Sequence, residues 1–280
     1  MSCYLCRSNK TKQRPGKVRD NSNLKVLECQ NCSLVYLSSF DHIGPDFYEK
    51  SLMHGAVPLN FKDWQIETEW DDERRFIQLR SLAQTKKVLD FGCGNGNFLK
   101  KISSVASVAD GIEPDKIVRE YLTPNFFVFP NLDLIADKKY NLITSFHVFE
   151  HLSDPRFYLK RLAKLLNHNG MIVIEVPNAN DALLTLYNSE AFQNTYWSQH
   201  LFLFNKKTLL KLVNQCNLKV FSFQYYQRYP LSNHLYWLSK KLPGGHKIWN
   251  FLNKENIINE YSESLSSLGY TDTLIVYIKK

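Results

Sequence analysis

The sequence predicts an α/β protein with a doubly wound, mostly parallel sheet, and three observations predict it. A strand-like run at 88–91 feeds a glycine-rich turn at 92–96 and a helical stretch at 97–105. Strand and helix patterns then alternate as far as Val176, the mark of βαβ units. Two further apolar runs, 218–226 and 273–278, supply strands after that alternation ends. With 280 residues, 44% of them hydrophobic, the chain is long enough to bury such a core.

Residues 1–45 read as a separate small module. They carry Cys3, Cys6, Cys29 and Cys32 around a polar, Lys/Arg-rich insert, and Gly44-Pro45 marks the break after it. Residues 46–84 read as a helical linker or lid. Ile66, Trp70 and Ile77 recur there at helical spacing among many charges, and Trp64 and Trp70 are expected to serve packing. The main domain occupies 85–280, with strands at 88–91, 108–113, 126–129, 141–145, 171–176, 218–226 and 273–278. Between the fourth and fifth of these, Asp154-Pro155 starts a helix with an apolar face of Leu159, Leu162, Leu165 and Leu166, and Asn169-Gly170 is expected to close it. A further helix is expected at 206–215, and residues 228–270 form a helical insertion before the last strand, suited to a lid or a dimer contact.

The cysteines point to metal. Two Cys-x-x-Cys knuckles separated by 22 residues offer four thiolates to one Zn²⁺ in a closed, structural site. His42 is an alternative ligand that a full set of four thiolates makes redundant. Paired spacing without an export signal or a transmembrane-length apolar run argues for a reducing, cytoplasmic setting over a disulfide framework. The net charge of +8 sits at the two ends: residues 1–45 hold seven Lys/Arg against three acids and 205–280 hold eleven against four. That excess suits phosphates of a nucleotide-linked substrate, RNA or an anionic surface, or is a solvated basic face.

The turn Asp90-Phe-Gly92-Cys-Gly94-Asn-Gly96 lies between a strand and a helix, where glycines let backbone amides approach a ligand closely. Glu113, at the end of the next strand and 17 residues after Gly96, is placed to accept hydrogen bonds from two ribose hydroxyls. An acidic residue two positions before the first glycine would repel a dinucleotide pyrophosphate. The stretch Val88–Leu99 resembles motif I of the class I S-adenosylmethionine methyltransferases. The resemblance extends through Ile112-Glu-Pro114, 141–152 and 170–177 and covers roughly residues 85–220. It implies a Rossmann-like, seven-stranded methyltransferase sheet and S-adenosylmethionine as cofactor. Asp90, Gly92, Gly94, Gly96 and Glu113 would bind it, and Phe146 and His147 are carried over to its methionine end. Asn141 stands where the family usually has Asp, and Cys93 is read as a small filler.

Methyl transfer needs collinear acceptor, methyl carbon and sulfur, and a group to take the acceptor proton. His151, beside Glu150, and His200 are the candidates; each could instead be a packing or capping histidine. Cysteine module, motif I and the His200-Leu201 segment together resemble deoxysugar C-methyltransferases and relatives acting on nucleotide-linked or glycan sugars. In those a Glu-His pair is catalytic, whereas here Gln199 precedes His200. Weaker basic assistance favours a hydroxyl acceptor over a carbon one, hence O-methylation of a sugar with His200 as base and His151 near the acceptor. Glu150-His151 also resembles the pair in ubiquinone-pathway O-methyltransferases. Two other readings stay open: a zinc-ribbon rRNA base methyltransferase, though an Asn-Pro-Pro-aromatic motif is missing, and a cofactor-binding regulator without catalysis. The acceptor atom and the oligomeric state are not legible.

Overall fold

The computed structural model describes residues 2–44, 46–50 and 59–280. In chain order the elements are β1 (Thr11–Gln13), β2 (Val26–Cys29), β3 (Val35–Leu37), α1 (Phe61–Ala83), β4 (Lys87–Phe91), α2 (Asn97–Ser103), β5 (Val108–Ile112), α3 (Lys116–Leu122), β6 (Phe127–Phe129), β7 (Tyr140–Phe146), α4 (Pro155–Leu165), β8 (Leu166–Pro177), α5 (Glu190–Gln193), β9 (Phe202–Leu203), α6 (Lys206–Gln215), β10 (Lys219–Tyr226), α7 (Leu231–Lys240), α8 (Gly245–Ile248), α9 (Glu255–Leu268) and β11 (Thr273–Lys279). Short 3₁₀ turns lie at Leu132–Ile135, Phe149–His151 and Asn250–Leu252.

The main sheet has seven strands in the order β10-β11-β8-β7-β4-β5-β6. The five from β8 to β6 run parallel, and β11 is antiparallel to both β8 and β10. Side chains alternate between its two faces as the strand period requires. Leu89, Ile143, Ile174 and Val276 join one core with Leu159 and Leu162 of α4 and Leu209 and Leu212 of α6. Val88, Leu142, Val173 and Ile275 join a second with Leu79 and Ala83 of α1 and Phe98 and Ile102 of α2. The sheet is thus covered on both sides, as buried parallel strands demand. Strand order reverses between β4 and its two neighbours β5 and β7, and such a switch point opens a crevice at the strands' carboxyl ends.

Two expectations are revised. The helix α4 begins as read, with Asp154 accepting from Phe157 N–H and Pro155 in its first turn, but stops at Leu165. Residues 166–170 already belong to β8, where Leu166 pairs with Tyr140, so sheet pairing overrides the Asn169-Gly170 stop signal. In α1 the apolar row Ile66, Trp70 and Ile77 faces outward, Ile66 73% and Trp70 58% exposed, while Leu79 and Ala83 on the other side are buried together with Asp71, Asp72 and Arg75. Of the two tryptophans read as packing residues, Trp64 packs against the cluster of Cys93, Leu99 and Val118 and also lines the cavity described below, whereas Trp70 lies at the surface.

The N-terminal strands β1-β2-β3 form a second, antiparallel sheet that β9 of the main chain completes, Val35 pairing with Leu203 and Tyr36 with Phe202. Cys3, Leu34 and Tyr36 share a buried cluster with Leu201, Phe202 and Phe204. Residues 228–270 between β10 and β11 hold α7, α8 and α9. Among the described residues no helix is long and apolar enough to cross a membrane.

Candidate active site

At the carboxyl ends of β4, β5 and β7 lies an open cavity of about 1390 Å³. Its first half is made by the glycine turn. Gly92, Gly94 and Gly96 have φ of 81°, 50° and 75°, left-handed values that L side chains rarely adopt. A Cβ at Gly92 would come within 2.3 Å of Val148, and one at Gly96 within 2.3 Å of Leu122. Gly96 is also the N-cap of α2, so the chain turns directly from the strand end into a helix N-terminus.

Two carboxylates flank this turn. Asp90 accepts from Thr144 Oγ1 at 2.7 Å, and Glu113 accepts from the amides of Gly94 and Asp115, both at 2.9 Å. Burial pushes Asp90 up to about 7 against the Thr144 bond, and pushes Glu113 up to about 7 against its two amide donors. Each Glu113 oxygen thus already holds one backbone donor and keeps acceptor capacity toward the cavity.

Behind the turn a buried ionic network fastens α1 to the sheet. Glu175 of β8 takes Arg74 at 2.8 Å, Arg75 at 2.7 Å and His147 Nε2 at 3.2 Å. Arg75 also bonds Asp72 at 3.0 Å, Asp71 bonds Arg74 at 3.3 Å, and Arg228 closes on Asp71 through Nε at 2.9 Å. Burial works against the Glu175 carboxylate, but Arg75, His147 and Arg74 hold it well below the usual range. Phe146 lies under Arg75, 4.5 Å from its guanidinium carbon, and lines the cavity with His147. His147 itself has φ of 55° and bridges Glu150 and Glu175; burial disfavours its charge, yet the two carboxylates raise its pKa. A buried pair of this kind fixes geometry more than it adds stability.

The second half of the cavity is formed by Tyr48, His151, Trp197, Gln199 and His200. The His151 and His200 rings meet edge to face with centroids 4.8 Å apart. Burial lowers the His151 pKa, and burial with the nearby His151 takes His200 down to about 3, so both rings are neutral near pH 7. Glu150 is fully buried behind them. The His200 segment is held by the N-terminal module: Asp20 accepts from Ser198 N–H at 3.0 Å and Oγ at 2.8 Å, His42 Nε2 meets Ser198 O at 2.7 Å, and Arg19 stacks 4.3 Å over Trp197.

In that module Cys3, Cys6, Cys29 and Cys32 converge, their Sγ atoms all within 4.8 Å of one another, with Cys3–Cys32 at 3.5 Å and Cys6–Cys29 at 3.4 Å. The two knuckles share a backbone form. Arg7 and Ser33, each following the second cysteine, have φ of 61° and 65°, and their amides bond Cys3 O and Cys29 O. Four bonds of about 2.3 Å in a tetrahedron set sulfurs about 3.8 Å apart, close to what the chain already provides.

The candidate metal ligands Cys3, Cys6, Cys29 and Cys32 therefore fall in one cluster, and the candidate cofactor and catalytic residues lie in the cavity or, for Gly96 and Glu150, directly behind it. Sequence reasoning missed Asp71, Asp72, Arg74, Arg75, Glu175 and Arg228. A lone charge inside the apolar run Met171–Val176 is a signal for Glu175, because such a residue needs a buried partner. Nothing comparable marks its partners on α1.

A family pattern described as a methyltransferase domain matches residues 63–222. Among curated proteins, a tRNA U34 carboxymethyltransferase of Saccharophagus degradans is 27% identical over 181 residues, covering 58% of this chain and 54% of that protein. A ubiquinone biosynthesis O-methyltransferase of Erwinia tasmaniensis is 28% identical over 136 residues, covering 42% and 56%. The chain spans about half the length of these curated relatives. Among solved structures, the magnesium protoporphyrin IX methyltransferase of Synechocystis with bound SAH superposes with a TM-score of 0.50 at 12% identity, over 83% of this chain and 96% of that one, a likeness of fold alone. With more than half of its length inside the family pattern, the chain belongs to the class I S-adenosylmethionine-dependent methyltransferase family.

Proposed function

We propose that this protein transfers the methyl group of S-adenosylmethionine to a hydroxyl of a small-molecule acceptor, a sugar in a nucleotide-linked or surface-glycan precursor. One observation carries the reading: the glycine turn with Asp90 and Glu113 and the His151–His200 pair line a single continuous cavity. Glu113 would hold the ribose hydroxyls, Asp90 and the amides at 92–96 the amino-acid part, and Phe146 and His147 the methionine end. A hydroxyl facing His200 would pass its proton to the neutral imidazole as oxygen takes the methyl carbon and the electron pair of the C–S bond stays on sulfur. His151 would steer the hydroxyl, with Glu150 behind it. Trp197 beside polar Gln199 and His200 gives the stacking face and hydrogen-bonding groups that suit a sugar ring. Cys3, Cys6, Cys29 and Cys32 would hold a structural Zn²⁺, and their convergence supports that reading.

The curated relatives named above act, by their names, on a tRNA and in ubiquinone biosynthesis, and the tRNA match favours a second reading in which RNA is the acceptor. A screen with labelled methyl donor against nucleotide sugars, glycan precursors and RNA, run beside His200→Ala, separates them. Label in a sugar hydroxyl that drops at least tenfold in the variant is expected. Label only in RNA would replace the first reading with the second.

A further inference from the structure

Glu150, His151 and His200 can do more than move a proton. One donor atom from each lies within 4.8 Å of the other two. Glu150 is fully buried; its Oε1 meets His147 Nδ1 at 3.3 Å, while its Oε2 finds no hydrogen-bond partner among the described residues. The same holds for buried His151 Nδ1. An unpaired carboxylate oxygen and an unpaired imidazole nitrogen are costly to keep from water, and a fold that sets both beside a third donor at an open cavity is organised for a ligand that satisfies them together. One carboxylate and two imidazoles, with the remaining directions free, are a donor set for a first-row divalent cation.

We propose that Glu150, His151 and His200 bind a divalent transition-metal cation at the acceptor end of the cavity, with open coordination positions for oxygens of the acceptor. Bonds of about 2.1 Å bring ligand atoms to about 3 Å from one another, so the side chains draw inward by roughly 1–2 Å on binding. Its N,O ligands set this site apart from the all-thiolate cluster, which selects softer ions. The cation's role rests on the reading of the cavity given above. A hydroxyl bound to it loses its proton to solvent more readily, its oxygen takes the methyl carbon, and the C–S electron pair leaves on S-adenosylhomocysteine. His200 is then a ligand rather than the base.

The test is a titration of the full chain, with its cysteine cluster as isolated, by Mn²⁺ followed through the loss of the free-ion signal in electron paramagnetic resonance. Wild type is expected to take up one equivalent. Glu150→Gln and His200→Asn are each expected to weaken uptake at least tenfold while S-adenosylhomocysteine still binds, which shows that they fold. His200, less buried than Glu150, keeps the test alive if the Glu150 change costs the fold. No uptake by wild type, or equal uptake by wild type and His200→Asn, overturns the proposal. Methyl transfer to a hydroxyl that survives removal of divalent ions also overturns it and leaves His200 as base. Stoichiometric uptake without transfer to any hydroxyl acceptor removes the proposed function alone.

Discussion

The two ends of the cavity are built in opposite ways. The cofactor end comes from a nearly continuous stretch, Asp90 to Glu113, in which strand ends, turn and helix start are neighbours in sequence. The acceptor end is assembled from residues far apart, Tyr48, His151 and Trp197–His200, and is held in place by Asp20 and His42 of the N-terminal module. Local geometry at the first end follows from glycine φ values and one parallel strand pair. The second exists only if β3 pairs with β9. Damage should therefore separate the two ends.

The largest effect is expected at the cofactor end. Glu113→Ala would remove the two ribose-hydroxyl contacts proposed for this carboxylate, charge-assisted and each worth about 1.5 kcal/mol or more, so affinity for S-adenosylhomocysteine should fall roughly 100-fold. Calorimetry checks it, and a change under threefold would dismiss Glu113 as the ribose carboxylate. The pH profile sharpens the point. Because burial raises Glu113 and Asp90 to about 7, the ligand-free fold holds more protons than the unfolded chain between the ordinary carboxyl range and about pH 7, so its stability falls as pH rises through that window. Cofactor affinity should run the other way, rising toward pH 7 as Glu113 ionises and levelling above it; Glu113→Gln should flatten that slope.

A smaller but more selective effect is expected from the cysteine module. Cys29→Ser should loosen the knuckles and, through the β3–β9 pairing and the Ser198 contacts, the His200 segment. Methyl transfer should drop at least tenfold while S-adenosylhomocysteine affinity stays within about threefold, since Asp90 and Glu113 bond Thr144, Gly94 and Asp115, all outside that sheet. Parallel loss of both would show that the ends are not separable.

The same contrast explains what the sequence disclosed. The glycine turn, Glu113, the N-terminus of α4 and the span of α6 were legible because their signals are local: φ requirements, caps and short-range periodicity. The bonding of the module to residues 196–203 was not, because β9 is a two-residue strand whose partner lies more than 150 residues away. Nor was the ionic network, since Arg74, Arg75 and Asp71 look from sequence like the solvated face of a charged helix. Periodicity tells which positions of α1 share a side; it does not tell which side is in. Here an apolar row faces out, because Glu175, alone in the apolar end of β8, needs cations more than the sheet needs another tryptophan.

That inversion yields the smallest expected effect and its control. Trp70→Gln removes a large apolar side chain that is mostly exposed, and should change unfolding free energy by no more than about 0.5 kcal/mol. Arg75→Met on the same helix leaves Glu175 short of one buried partner and Asp72 of another, and should cost on the order of 3 kcal/mol. Chemical denaturation of the two variants side by side reads the difference. If Trp70→Gln proved the more damaging, α1 would sit on the sheet by its apolar row, and the wall it gives the cofactor end through Trp64 and Asp72 would have to be redrawn.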